Sequence, residues 1–189
     1  MDKQSTGLQA LIDKEAIRDL VLLYSRGVDR KDLDLLRDLY TADATDTHGD
    51  TYDGPAEGYL QFLAASLPHM RYSGHHVANH MISVDGDEAE GEVYALAFHA
   101  IPDAQGGMLE DLKLVRYIDK YRRCEDGRWR FAKRTVTYDY QTRKPIDETS
   151  VALLPAVDQD PSVLELGHAL FQRGARSEPD GPEIDLDRG

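Results

Sequence analysis

The chain has 189 residues, 41% of them hydrophobic and 30% charged, a balance that suits one globular domain with an appendage. Its net charge of −13 opposes nucleic acid and anionic membrane surfaces but leaves an uncharged small molecule open as a ligand. Its single cysteine, Cys124, excludes an internal disulfide and a cysteine-based zinc cluster; no apolar run approaches the ~20 residues that span a bilayer, and MDKQSTG lacks a secretory apolar core, so a cytoplasmic protein is expected.

Apolar residues at Leu8, Leu11, Ile12, Ile17, Leu20, Leu23 and Tyr24 recur with helical spacing and predict a long first helix whose pattern breaks near Gly27. A shorter helix follows, capped by Asp32 and carrying Leu33, Leu36 and Leu39 on one side. DGPAEGYLQFLAASL predicts a third, opened by Pro55 at a first-turn position where a missing N–H costs nothing. From about Gly74 the period becomes alternating. HHVANHMISV and AEGEVYALAFHAI flank DGDE, a hairpin signal, and LKLVRYIDKYRR and RWRFAKRTVTYDY flank a second Asp-Gly at 126–127. Four long strands in a meander after a helical block make an α+β class. Beyond Arg143, KPIDETSVALLPAVDQDP reads as irregular, SVLELGHALFQR as a short amphipathic helix presenting Val163, Leu166 and Leu170, and SEPDGPEIDLDRG as a mobile acidic tail. The expected division is a core domain over 1–142 and an extension over 143–189.

Three of the seven histidines fall in SGHHVANH, residues 73–80. On a helix, His76 and His80 would be i, i+4 neighbours, the spacing of a metal-binding pair. On a strand they stand ~13 Å apart, and His75 and His76 point to opposite faces. The β-branched residues, the hairpin turn and the partner run favour the strand, so no metal site is expected here. A histidine facing a pocket is the natural general base near neutral pH when a carboxylate orients its ring. Asp29, preceded by Val28 and an apolar helix, is the best acidic candidate; the plainer reading makes it the start of a turn.

YSRGVDRKDLDLLRDLYTADATDTHG, GHHVAN, VDGDEAEG and YIDKYRRCEDGRWRFAKRTVTYDY, in that order, resemble the SnoaL-like branch of the nuclear-transport-factor-two-like superfamily, from about residue 10 to 142. The resemblance implies a cone-shaped α+β domain, its N-terminal helices closing over a strongly curved antiparallel sheet around a deep apolar pocket. Members such as scytalone dehydratase, bile acid 7α-dehydratase and hexachlorocyclohexane dehydrochlorinase are cofactor-free elimination enzymes with a His–Asp pair. Carried over by position, the aspartate is Asp29 and the histidine is His75, with Asn79 on its face and His76 as the alternative. Tyr24 fills a polar catalytic position five residues before Asp29. On a helix the two lie ~140° apart, so they converge only if the helix ends at Gly27. His48 occupies a pocket-tyrosine position. Arg134 and Tyr138 share the pocket-facing side of the last strand with Val136, and His99 lies with Val93, Ala95 and Ala97 on the pocket floor. A surface salt bridge is an equally good reading of Arg134. The chain lacks the second tyrosine of scytalone dehydratase.

The resemblance implies a cofactor-independent lyase acting on a hydrophobic, hydroxylated aromatic or polycyclic small molecule. His75 takes a proton, Asp29 orients the ring, Tyr24 with Arg134 holds a substrate oxygen, and water or a small aldehyde is lost. No cofactor and no metal are expected; a homo-oligomer, trimer or dimer, is. A non-catalytic binding subunit and a ketosteroid-isomerase-like isomerase are the alternatives, since one fold hosts many activities.

Overall fold

The helical stripe of the N-terminal region forms α1, Lys3–Asp29, in a computed structural model that describes residues 3–153. Ile17, Leu20, Val21, Tyr24 and Val28 face the core, whereas Leu8, Leu11 and Ile12 on the earlier turns are exposed. The helix does not break at Gly27. A Cβ on Gly27 would stand 2.7 Å from Leu36 Cδ2, so this glycine permits the close approach of the next helix rather than ending its own. Lys31, with φ of 57°, takes the left-handed position after α1. Asp32 then caps α2, Leu33–Asp38, accepting the Leu35 N–H at 3.0 Å, as its position in the sequence predicts. Pro55 stands at the N-cap of α3, Ala56–Ser66, one step earlier than expected.

Among the described residues the sheet has six strands instead of four. Tyr40–His48 (β1) and Tyr52–Pro55 (β2) form an antiparallel hairpin. The four expected strands follow as Tyr72–Asp85 (β3), Glu88–Pro102 (β4), Met108–Arg123 (β5) and Trp129–Ile146 (β6). Their order is β2-β1-β6-β5-β4-β3, antiparallel except for the parallel β1–β6 pair. The sheet is curved and does not close on itself. Gly86 (φ 61°) and Gly127 (φ 75°) turn the two predicted Asp-Gly hairpins. Regular structure continues past residue 142, through the end of β6 and a short α4, Glu148–Leu153. The helix expected over 162–173 and the acidic tail lie outside the described residues.

Helix α1 packs on the sheet through Ile17, Val21 and Tyr24, against a core that includes Val93, Val115, Tyr117 and Phe131. Its early turns are tied down by Asp13, which accepts Arg123 at 2.7 and 2.8 Å and the indole N–H of Trp129 at 3.2 Å. Among the described residues, no helix is long and apolar enough to cross a membrane.

One irregularity in β3 decides which of its residues face the core. Val77 pairs with Ala95 and His80 with Val93, so β3 carries one residue more than β4 opposite it. Such a bulge reverses the alternation beyond it. His75 and Val77 point inward before the bulge, and His80, Ile82 and Val84 after it, leaving Asn79 exposed. The expectation that Asn79 shares the face of His75 is therefore corrected.

Candidate active site

Asp29 is the last residue of α1, where the helix dipole disfavours a carboxylate, yet three donors converge on it. Ser73 Oγ donates at 3.0 Å, the His75 backbone N–H at 2.9 Å and the His75 ring Nδ1–H at 2.6 Å. Burial pushes the Asp29 carboxyl up, but the hydrogen bonds and charge of His75, with Ser73, more than offset this and hold it below its ordinary value. Committing Nδ1 to a carboxylate leaves Nε2 as the basic nitrogen of the ring. The side chains of His75 and Asp29 are 9% and 22% exposed, so the pair is sheltered but reachable. Ala97 stands opposite His75 in the sheet, and its small side chain leaves the imidazole room. His99 follows two residues on; it is buried on the same face as Val93, Ala95 and Ala97, with its ring 5.2 Å from His75 and edge-on at 70°. Burial, then the neighbouring charges of His75 and Lys113, pull His99 down to about 3.

A second His–Asp pair lies on β1. Asp46 and His48 are two apart on a strand and so share a face. The carboxylate accepts the His48 Nδ1–H on one oxygen and the Tyr40 hydroxyl, at 2.7 Å, on the other. Tyr59 from α3 stacks on the His48 ring at 4.1 Å and places its hydroxyl 2.9 Å from Nε2. Tyr24 adds a second hydroxyl, 3.5 Å from Nε2 and 3.3 Å from that of Tyr59. Burial lowers the basicity of His48, and the hydrogen bond to Asp46 restores part of it. Burial also pushes the Tyr24 hydroxyl up to about 12, against the pull of the Arg134 cation.

Arg134 is fully buried, not on the surface. Asp119 grips its Nε and Nη2 at 2.9 and 2.7 Å, and Tyr121 donates to Asp119 at 3.0 Å. Its guanidinium lies 4.1 Å from the Tyr24 ring centroid, 4.2 Å from Phe131 and 4.3 Å from Tyr117. Nη1 makes no hydrogen bond among the described residues, and these ring faces surround it instead.

The structure thus brings Asp29, His75 and His99 into one group, and Tyr24, His48 and Arg134 into a second. Tyr24 and Asp29 do not converge on one contact, because α1 continues unbroken between them. Tyr138 shares the side of β6 that carries Arg134 and Val136 but is more than a third exposed, its ring against Gly49. His76 points to the opposite, exposed face. Sequence reasoning missed Asp46, Tyr59, Ser73 and Asp119. An Asp-x-His spacing marks Asp46 only once residues 40–48 are recognised as a strand, and Tyr59, beside Leu60 and Leu63, looks like core. Tyr59 brings a second phenol to a chain whose sequence lacks one at the position the resemblance implies.

The model of the SnoaL-like domain matches residues 9–135 of the chain. No curated protein sequence matches it. Among solved structures, a type 2 hexachlorocyclohexane dehydrochlorinase, LinA, aligns with a TM-score of 0.64 at 27% identity, over 75% of this chain and 94% of that one. The LinA-type3 enzyme from Novosphingobium barchaimii LL02 aligns with a TM-score of 0.64 at 26% identity, over 75% and 95%. A candidate scytalone dehydratase from Novosphingobium aromaticivorans DSM 12444 shares the fold at 21% identity and a TM-score of 0.63, over 72% of this chain and 91% of that one.

Proposed function

The chain belongs to the SnoaL-like domain family, and from that premise we propose that it is a cofactor-independent lyase acting on a hydrophobic, hydroxylated small molecule. The observation that carries this reading is the Asp29–His75 pair: a ring held by a carboxylate at 2.6 Å, with Nε2 left as its basic nitrogen. In the proposed reaction Nε2 takes a proton from the substrate as a carbon–oxygen or carbon–carbon bond breaks. Asp29 keeps the tautomer and stabilises the imidazolium that forms, the part an aspartate plays behind a catalytic histidine. His99, kept neutral by burial, adds no competing charge beside it. The similarity to dehydrochlorinases at 26–27% identity supports an elimination over a redox or transfer reaction.

The test is a mass-spectrometric screen of hydroxylated aromatic and polycyclic compounds, read as loss of water or of a small aldehyde. A product of unchanged mass means isomerisation instead. With a substrate in hand, His75→Ala is expected to lower turnover by ~10²–10⁴-fold, the usual worth of a general base, with an unchanged circular dichroism spectrum. Near-normal turnover by that variant sinks the assignment.

A further inference from the structure

The hydrogen bonds around His48 have a direction. Both oxygens of Asp46 are taken as acceptors, by Tyr40 and by the His48 Nδ1–H. A ring that gives Nδ1–H to a carboxylate presents Nε2 as a bare acceptor. The Tyr59 hydroxyl, 2.9 Å away, therefore donates its only proton to His48. Its oxygen is left to accept, with the Tyr24 hydroxyl 3.3 Å away and a lone pair free for a further donor. An oxyanion hole needs the opposite polarity, with its protons aimed into the site. Here Tyr59 gives its proton to His48 on β1.

From this polarity we infer that Asp46, His48 and Tyr59 form a second proton-transfer unit, which takes the proton of a phenolic or enolic hydroxyl on the substrate. The inference rests on the lyase reading only in placing substrate beside His75. In the transfer the substrate O–H bond breaks and its proton joins the Tyr59 oxygen while the Tyr59 proton passes to Nε2. The electron pair stays on the substrate oxygen, and the new imidazolium is held by Asp46. No further reactant is required. The charged and titratable groups around His48 are Asp46 on β1, Tyr24 on α1, Tyr59 on α3, His75 on β3 and Arg134 on β6. Arg134, stacked against the Tyr24 ring, is a fixed positive charge near this unit, which favours an anion and opposes a cation on His48. Burial lowers the basicity of His48 and Asp46 restores part of it, so the hydroxyl must be an acidic one: a phenol, which ionises near pH ~10 as tyrosine does, and not an aliphatic alcohol.

The experiment titrates 4-nitrophenol into the full chain at a pH well below the probe's solution pKa and reads its absorbance. The wild type is expected to bind the probe as 4-nitrophenolate. Tyr59→Phe, which keeps the ring stacked on His48, and His48→Gln should each cut the bound phenolate fraction roughly tenfold or more, the equivalent of one pKa unit. Should His48→Gln fail to fold, Tyr59→Phe carries the test. His75→Ala should keep the phenolate signal although it loses turnover, which separates this unit from the proposed base. Phenolate bound by a protein without lyase turnover supports the second unit and removes the proposed reaction. Neutral probe or no binding in the wild type, or a phenolate signal that survives in both variants, overturns the inference.

Discussion

Arg134 shows how much one residue's role depends on what surrounds it. Two readings of it compete in the sequence, a surface salt bridge and a pocket residue. The structure makes it an ion pair, but an interior one with both partners at 0% exposure. Removing such charges from water costs several kcal/mol per ion, and that cost is recovered only while both partners are present. Asp119→Asn is therefore expected to destabilise the fold by about 3–5 kcal/mol, and Arg134→Met by a similar amount, in urea denaturation. The double variant should lose clearly less than the sum of the two. Strict additivity would mean that the two charges do not depend on each other. Asp119 is one of many carboxylates in the chain, and nothing in its local pattern distinguishes it. Asp29 is more legible, because the apolar helix before it points to a half-buried site.

Helix α1 is legible from its stripe, with Asp29 at its end, but the break expected near Gly27 is absent, because a glycine inside a helix reads as a stop. Gly27 is there for its neighbour: the Leu36 side chain, fully buried, occupies the space a methyl group would need. Gly27→Ala should gain helix propensity yet lose about 1–3 kcal/mol through overpacking between α1 and α2, seen as a lower melting temperature. A stabilised variant would show that Leu36 can move aside. β1 escaped detection for the opposite reason. Its inward side chains include Asp46 and His48, polar groups whose burial is compensated by each other, by Tyr40 at the start of the same strand and by Tyr59 and Tyr24 from α3 and α1. Strand patterns are read from apolar alternation, so a strand that carries the site's polar groups inward looks like a loop. The bulge in β3 is equally silent in the sequence, since one extra residue leaves no mark on composition.

At the scale of the whole molecule, the neutral buried histidine has a consequence in acid. His99 is pulled from 6.5 to about 3 in the fold, chiefly by burial. Below its unfolded pKa the unfolded chain binds a proton that the folded chain refuses, so stability falls as pH drops from about 6.5 toward about 3. The loss is on the order of a few kcal/mol. Asp29, held below its ordinary value, contributes stability that is present above the ordinary carboxylate pKa and lost only at lower pH. Denaturation midpoints measured from neutral to mildly acidic pH should therefore decline, and His99→Phe should flatten the upper part of that decline. An unchanged slope would mean that His99 titrates normally in the fold. The helical block, the four long strands and both hairpins could be read from the sequence, because period and turn chemistry are local properties of the chain; the contact between Asp29 and His75 is implied only by the family resemblance, which leaves His76 as the alternative. The parallel pairing of β1 with β6, the facing of Asn79 away from the site, the interior salt bridge and the second His–Asp unit were decided only by tertiary structure. Each depends on which face a strand turns inward, on a register shift or on side chains that the fold brings together, and none of these leaves a periodic trace in the residues themselves.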